Sequence, residues 1–156
     1  DSRLLERKEE VEKQVRFFPE GGYLVKGLPG RVAWDYRGKR GIISIPLMTE
    51  KRGVDVKVDG KVIAGQLPEP QEEGCVLRVD ATRQDSVVTD VYATASFQDQ
   101  ELIWMLMHEG KVVNSNSFKA SPHWRWSEER AALPEGVSQI TLLAANGATL
   151  AERFNL

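Results

Sequence analysis

The amino-acid sequence predicts an all-β fold in which two antiparallel β-sandwiches follow one another. From residue 15 onward, short runs rich in Val, Ile, Tyr and Phe alternate with glycine-containing turns, which is typical of antiparallel strands. A segment with two prolines and three acidic residues, 66–74, interrupts this pattern and indicates a crossover between domains. The runs after it are regular and numerous enough to build a complete sandwich core.

Composition and charge narrow the function classes. Of the 156 residues, 41% are hydrophobic and 28% charged, close to the mix of a globular domain. Lys plus Arg number 21 and Asp plus Glu number 23, so the net charge is −2 and the basic excess typical of nucleic-acid binding is missing. No apolar run approaches the ~20 residues that span a bilayer. Because the chain opens on Asp1 without Met or a signal sequence, we expect a mature product or an excised fragment.

The first 14 residues differ from the rest of the chain. They contain five acidic and four basic residues and no Gly or Pro, and Leu4, Leu5 and Val11 lie near one helical stripe. A helix this short is marginal in water by itself. We therefore interpret 1–14 as a charged helical arm or a linker.

The first predicted domain, 15–70, is a short β module. Its candidate strands are 15–18, 23–26, 31–36, 41–47, 54–58 and 61–65. Pro19-Glu20-Gly21-Gly22 predicts a turn, because Pro fixes φ and Gly tolerates positive φ. Asp59-Gly60 between two valine-rich runs predicts a hairpin. At about 55 residues this module is small for a free-standing sandwich, so we expect it to pack on its neighbour.

The second predicted domain, 71–156, is a seven-stranded β-sandwich. Its candidate strands are 75–80, 86–96, 101–108, 111–119, 123–127, 137–144 and 148–155. Glu109-Gly110 and Asn146-Gly147 predict hairpin turns, and Asn-Gly is the commonest type I′ pair. Residues 127–133 could form one helical turn with Ser127 as its cap.

Three segments carry a resemblance: VRFFPEGGYLVKGL with RVAW (15–34), LPEP with Gly74 (67–74), and LPEGVSQITLL closing on LAER (133–153). In this order they resemble the macroglobulin-like repeat pairs of large surface or periplasmic proteins from Gram-negative gut commensals. Those proteins often also carry carboxypeptidase-regulatory-like and TonB-plug-like domains. The resemblance covers about 15–156. It implies two immunoglobulin-like β-sandwich modules in tandem, exported to the periplasm or to the cell surface in association with the outer membrane, without a known reaction.

The chain departs from this family pattern in two places. The strand at 32–34 is usually followed by Gly-containing hairpins, but here 37–41 runs directly into Ile42, so the first module lacks either a strand pair or a loop. The thioester motif Cys-Gly-Glu-Gln of α2-macroglobulins is absent, because Val76 follows Cys75. No covalent protease trap can therefore operate from this chain.

The most suggestive local cluster is His123-Trp124-Arg125-Trp126. On a strand, Trp124 and Trp126 face one side and Arg125 the other. If that side meets the opposite sheet, the indoles are core or pack between modules, which is the interpretation we favour. If it faces solvent, they form a platform for a sugar ring or for a partner's apolar anchor.

A second candidate contact surface is the continuous apolar run 102–107. Its alternate residues form two faces: Leu102, Trp104 and Leu106, and Ile103, Met105 and Met107. Such a strand is buried on both faces or meets another module or an external partner with one of them. The adaptable side chain of Met favours an interface.

The remaining candidates for chemistry are weak. Cys75, the only cysteine, allows neither a disulfide nor a Cys-based zinc site, and its apolar run predicts a small buried side chain. His108 and His123 have no second ligand at metal spacing. Three aspartates are expected in or near turns or on solvent faces, with no His or second carboxylate at a sequence spacing that forces proximity: Asp85, Asp90 and Asp99. No nucleophile elbow, P-loop or dinucleotide fingerprint occurs, so we predict no enzymatic activity, no metal and no cofactor.

The sequence therefore predicts a non-enzymatic module of an exported cell-envelope protein that acts as a rigid spacer and protein-contact surface. Its expected partners are other domains of the same polypeptide or a cell-surface protein. The candidate contact residues are His123, Trp124, Trp126, Trp104, Met105 and Met107. The alternative is a carbohydrate-binding module in which Trp124 and Trp126 stack on a glycan.

Overall fold

The computed structural model describes residues 14–135 and 138–154, and this part of the chain is built from antiparallel strands joined by short turns. In chain order the strands are β1 (Arg16–Pro19), β2 (Gly30–Tyr36), β3 (Lys39–Ile45), β4 (Gly53–Val58), β5 (Lys61–Gln66), β6 (Cys75–Asp80), β7 (Ser86–Ala93), β8 (Glu101–His108), β9 (Lys111–Lys119), β10 (His123–Glu129), β11 (Ser138–Ala144) and β12 (Thr149–Arg153). The all-β prediction is confirmed. The predicted arm, apart from its last residue, lies outside the described residues. Among the described residues, no helix is long and apolar enough to cross a membrane.

Strands β1 to β5 form two small layers. One is a three-stranded sheet in the order β1-β2-β3, and the other is the β4-β5 hairpin. Four buried residues form the centre of the core between them: Leu24, Val32, Met48 and Leu67. Phe17 of β1 and Val54 of β4 pack on this centre from the two layers. This core is small, as the length of the first predicted domain suggested.

Strands β6 to β12 form a larger β-sandwich. A three-stranded sheet in the order β10-β7-β6 faces a four-stranded sheet in the order β12-β11-β8-β9. The inward-facing side chains alternate with outward-facing ones along each strand. Together they form one continuous core: Cys75, Leu77, Val79, Val87, Val91, Ala93, Leu102, Trp104, Leu106, Ala120, Ile140, Leu142 and Ala151.

The predicted strands of this half agree closely with the observed ones. β6, β8 and β9 begin and end at the predicted residues. β7 is shorter than predicted because residues 95–97 turn into a 3-10 helix. The single helical turn predicted near 127–133 is a 3-10 turn at Arg130–Ala132. Ser127 is not its cap, because Ser127 pairs with Val88 inside the β10-β7 ladder.

The predicted strand at 23–26 is wrong. This segment makes only one parallel bridge, between Val25 and Gln71. Its backbone hydrogen bonds run to the crossover: the Lys26 amide donates to the Gln71 carbonyl at 2.9 Å, and the Gln71 amide donates to the Leu24 carbonyl at 2.8 Å. The apolar residues that suggested a strand are buried, each 1% exposed, without belonging to a sheet: Leu24 lies in the core of the first unit, and Val25 packs beside Gly74 of the crossover.

Two-residue hairpin turns hold the register where the sequence predicts them. Asp59-Gly60 has φ of +50° and +80°, and Glu109-Gly110 has +50° and +77°, as a type I′ turn requires. The same geometry occurs at Arg37-Gly38, with φ of +50° and +83°, and joins β2 directly to β3. The segment that departs from the family pattern is therefore a tight hairpin.

The turn at Asn146-Gly147 is not the predicted type I′. Gly147 has a φ of +88°, but Asn146 does not adopt positive φ. The Gly147 amide donates to the Ala144 carbonyl at 2.9 Å, and the Ala144 amide donates to the Ala148 carbonyl, also at 2.9 Å. The connection is therefore longer, with a type I turn followed by a left-handed glycine. The Asn146 side chain instead accepts a hydrogen bond from the Ala148 amide.

Candidate functional site

The two neighbouring tryptophans of β10 lie on the inner face of their sheet. β10 is an edge strand, and its half-buried Trp124 and Trp126 pack on the core of the larger sandwich. Phe118, on the edge strand β9 of the opposite sheet, stacks on Trp124 with a centroid distance of 3.8 Å and an interplanar angle of 3°. The rings of Trp124 and Trp126 are also parallel, 6.2 Å apart. The indoles therefore close the seam between the two edge strands.

Trp104 lies deeper in the same core. It is 1% exposed, and its Nε1 donates a hydrogen bond to Thr89 Oγ1 at 3.1 Å across the sandwich. Its ring lies 6.1 Å from that of Trp126, at a tilt of 52°. The assignment of Trp104 to a partner contact is therefore corrected: its side chain has no surface that an external partner could reach.

A carboxylate closes the polar end of the seam. The half-buried Glu128 of β10 accepts hydrogen bonds at Oε2 from Asn114 Nδ2 of β9, at 2.9 Å, and from Trp126 Nε1, at 3.2 Å. The bond from Asn114 joins the two edge strands, and the bond from Trp126 holds the indole against the same carboxylate. Glu128 is therefore a structural link and has no reacting group beside it in these contacts.

The outer face of β10 carries an ion cluster that the sequence did not reveal. His123 Nε2 lies 2.5 Å from Asp90 Oδ1 on β7, and Arg125 Nε donates to the same oxygen at 2.8 Å. Tyr92 stacks on the His123 ring with centroids 4.5 Å apart and 6° between the planes. Asp90 thus has a companion His that sequence spacing does not indicate, because antiparallel pairing brings residues 33 positions apart together on adjacent strands.

The electrostatics of Asp90 indicate a structural role. Burial opposes ionisation of this carboxyl, but the hydrogen bonds from Arg125 and His123 outweigh burial and lower its pKa below the usual value. A carboxylate held ionised by hydrogen bonds, one of them from an arginine, is a poor general base. The contacts of this cluster include no nucleophile.

The apolar run of β8 divides into the two predicted faces. Leu102, Trp104 and Leu106 are each at most 1% exposed and form part of the core. Met105 and Met107, with Ile103, point to the outer face of the four-stranded sheet and are half-buried. On this apolar ridge the predicted contact residues Met105 and Met107 remain partly accessible, and His123 is accessible on the outer face of β10.

The remaining candidates for chemistry are Cys75, a metal-binding group and His108. Cys75 is 1% exposed, and burial raises the pKa of its thiol to about 11, so it is an inert core residue. Within 14–135 and 138–154, no three His, Cys, Asp or Glu side chains are grouped closely enough to hold a metal ion. His108 ends β8 and enters the Glu109-Gly110 turn, as predicted.

The junction between the two sandwiches is built around Glu20, which follows β1. Its side chain is 5% exposed. Oε1 accepts hydrogen bonds from the backbone amide of Val79 on β6, at 3.0 Å, and from Arg153 Nη1 on β12, at 2.8 Å. Oε2 lies 3.5 Å from Arg31 Nε on β2. One carboxylate thus joins the first sheet to both sheets of the larger sandwich.

The residues after Glu20 complete the junction. Gly21 has a φ of +83°, and a Cβ there would stand 3.4 Å from the Leu77 carbonyl oxygen and 3.6 Å from Ala151 Cβ. The Tyr23 hydroxyl donates to the Leu150 carbonyl at 2.8 Å. The sequence pattern of this segment predicted only a turn. The charged Glu20 beside two glycines was the one local feature that could have indicated a junction.

The outer face of the β1-β2-β3 sheet carries exposed apolar side chains. Phe18 is 52% exposed and Ile42 is 61% exposed, and Ala33 stands between them in the cross-strand row. They line a shallow depression of about 620 Å³ that Arg16 and Arg40 border. This depression lies beside β3, which is an edge strand.

Comparison with known proteins does not assign the chain to a family. No family model matches it. No curated protein matches it either. Among solved structures, the human OSCAR ligand-binding domain is similar over 90% of this chain and 95% of that chain, with 9% sequence identity and a TM-score of 0.30. The macroglobulin-like resemblance therefore stays a prediction.

Proposed function

We propose that the protein is a non-enzymatic spacer and protein-contact module in which a buried carboxylate fixes the orientation of two β-sandwiches. The observation that carries this proposal is the Glu20 junction. A flexible linker makes few contacts with the domains that it joins. Here Glu20 and Tyr23 tie the β1–β2 connection to the larger sandwich, and the Lys26–Gln71 backbone pair ties the same connection to the crossover. Separating the sandwiches would therefore expose the ion-paired carboxylate of Glu20 and break its contacts, which raises the free energy of separation.

The contact part of the proposal rests on partly exposed apolar surface. The ridge of Ile103, Met105 and Met107 supports an interaction with another domain of the same polypeptide or with a cell-surface protein, because Met side chains adapt to irregular partners. An exported location, in the periplasm or at the cell surface near the outer membrane, belongs to this proposal and is supported by the macroglobulin-like resemblance.

The carbohydrate alternative has less support. A sugar that stacked on Trp124 would have to displace Phe118 from the ring face that it covers at 3.8 Å. Trp126 packs against buried Trp104 and donates to Glu128. These contacts favour a structural role for both indoles.

A distance measurement between the sandwiches tests the spacer proposal. Spin labels on Val62→Cys and Val112→Cys, which are 60% and 54% exposed in the wild-type chain, report the separation of the two units by pulsed electron resonance. Buried Cys75 does not compete for the label. We expect one narrow distance distribution, and a broad one after Glu20→Ala. The exposed Glu69→Ala is the matched control. A broad distribution in the otherwise unaltered chain would refute the spacer.

A further inference from the structure

Strand β3 offers an open edge with a defined hydrogen-bonding pattern. It pairs only with β2 among the described strands. In a two-residue hairpin the residues that flank the turn exchange both backbone hydrogen bonds, and the pattern then alternates. Tyr36 and Lys39 flank the turn. The amide and carbonyl groups of Arg40, Ile42 and Ser44 therefore point to the free edge.

The side chains of these same three residues lie on the exposed outer face, each at the end of a cross-strand row. Ile42 ends the apolar row that contains Phe18 and Ala33. Arg40 ends the charged row that contains Arg16 and Asp35. An added strand would extend both rows, and neighbours across a ladder interact most strongly when they match in polarity or oppose in charge. The row geometry therefore specifies a large apolar residue beside Ile42 and an acidic residue beside Arg40.

The charges around Arg40 reinforce this specification. Arg16 Nη2 lies 3.8 Å and Arg40 Nε lies 3.3 Å from the same Asp35 oxygen, so one carboxylate serves two guanidinium groups. Arg37 adds further positive charge at the same end of β3. Lys39 lies there too, with its Nζ 3.9 Å from Asp59 Oδ1, so the four basic residues at this end outnumber Asp35 and Asp59. Net positive charge at this edge steers acidic partners toward it.

We propose that β3 binds an extended, acidic segment of a partner protein by strand addition, in which a large apolar residue precedes an acidic one by two positions. This inference rests on the proposed protein-contact function and assigns it a surface and a partner chemistry. Main-chain hydrogen bonds supply the affinity of strand addition, and alternate side chains supply its specificity. A second copy of the chain fits less well, because β3 has the sequence KRGIISI and would bring no carboxylate to Arg40.

A peptide series tests the proposal on the full chain. The fluorescein-labelled probe TSVLVET places Ser, Leu and Glu opposite Ser44, Ile42 and Arg40 in an antiparallel pair. The matched controls are TSVLVKT, which reverses the charge, and TVSLEVT, which breaks the two-residue spacing. We expect fluorescence polarisation to report binding of TSVLVET at least tenfold tighter than either control. The variant Arg40→Glu should invert the preference between TSVLVET and TSVLVKT.

Backbone methylation separates strand addition from simple charge attraction. Methylation of the Leu amide of the probe removes a donor to Ile42 and should abolish binding, whereas methylation of the Val amide before it, which points away from β3, should change affinity less than threefold. Amide exchange of Ile42 and Ser44 should slow in the complex. Equal binding of TSVLVET and TSVLVKT, no binding at 1 mM, or self-association of the free chain through β3 would each overturn the proposal. The spacer measurement does not involve β3, so the two proposals fail independently.

Discussion

Replacement of Glu20 perturbs the junction at the carboxylate that contacts both units. Glu20→Ala removes the acceptor of the Val79 amide and of Arg153, at 3.0 and 2.8 Å, and the counter-charge of Arg31. Glu20→Gln keeps an oxygen for the Val79 amide but removes the charge. The two substitutions therefore separate the hydrogen bond from the ion pairs.

The size of the expected loss of stability depends on how exposed the two arginine partners of Glu20 are. Breaking a fully buried ion pair costs about 3–5 kcal/mol. The Arg31 and Arg153 side chains are 24% and 34% exposed, so water compensates part of their lost partner. We therefore expect Glu20→Ala to lower the free energy of unfolding by about 3 kcal/mol and Glu20→Gln by about 2 kcal/mol.

Thermal unfolding followed by circular dichroism measures both variants. For a chain of this length, about 1 kcal/mol corresponds to roughly 2–4 °C in Tm, so Glu20→Ala should melt about 6–12 °C below the wild type. The exposed Glu69→Ala should melt with the wild type. A Glu20→Ala shift below about 2 °C would refute the assignment of Glu20 as the junction anchor.

Three further predictions concern the core and the outer face. Trp126→Ala should lower the free energy of unfolding by about 2–3 kcal/mol in urea denaturation, because the half-buried ring of Trp126 contacts Trp104 and Trp124. Loss of glycan binding at unchanged stability would instead support the carbohydrate alternative. Gly41→Ala should lower the free energy of unfolding by about 1–3 kcal/mol in the same assay, because the new Cβ would lie 2.5 Å from the Trp34 ring. The control Gly53→Ala meets nothing within 4 Å and should leave stability unchanged, so equal effects would contradict the Trp34–Gly41 packing. Asp90→Asn should lower the free energy of unfolding by about 1 kcal/mol at pH 7. Because the folded-state pKa of Asp90 is lowered, this difference between variant and wild type should shrink as the pH falls below about 4. A constant difference from pH 7 to pH 2 would contradict the ion cluster.

Local patterns in the sequence predicted the strands but not their partners across the sheets. The bounds of β6 and β8 were predicted to the residue because their apolar runs supply buried side chains to one core, and the Glu109-Gly110 turn marks where β9 begins. Asp59-Gly60 and Glu109-Gly110 specified their turns because left-handed φ at both positions favours few residue types. At 23–26 the same apolar signal was misleading, because Leu24 and Val25 are buried by the first core and the crossover without belonging to a sheet.

The contacts that form the candidate sites depend on long-range register. Asp90 and His123 come together only through the pairing of β7 with β10, and Glu20 reaches Arg153 across 133 positions of sequence. No spacing rule in a single sequence encodes such pairs. The two faces of β8 could be assigned by alternation, but which of them is solvent-facing depended on the position of β8 within the four-stranded sheet.

The central claim is that the two sandwiches share one fixed orientation. Residual dipolar couplings of backbone amides in a weakly aligned sample measure this directly on the unmodified chain. We predict that couplings from β1–β5 and couplings from β6–β12 fit one alignment tensor of equal magnitude and direction. Two tensors of clearly different magnitude would show that the units reorient independently, and would contradict the spacer.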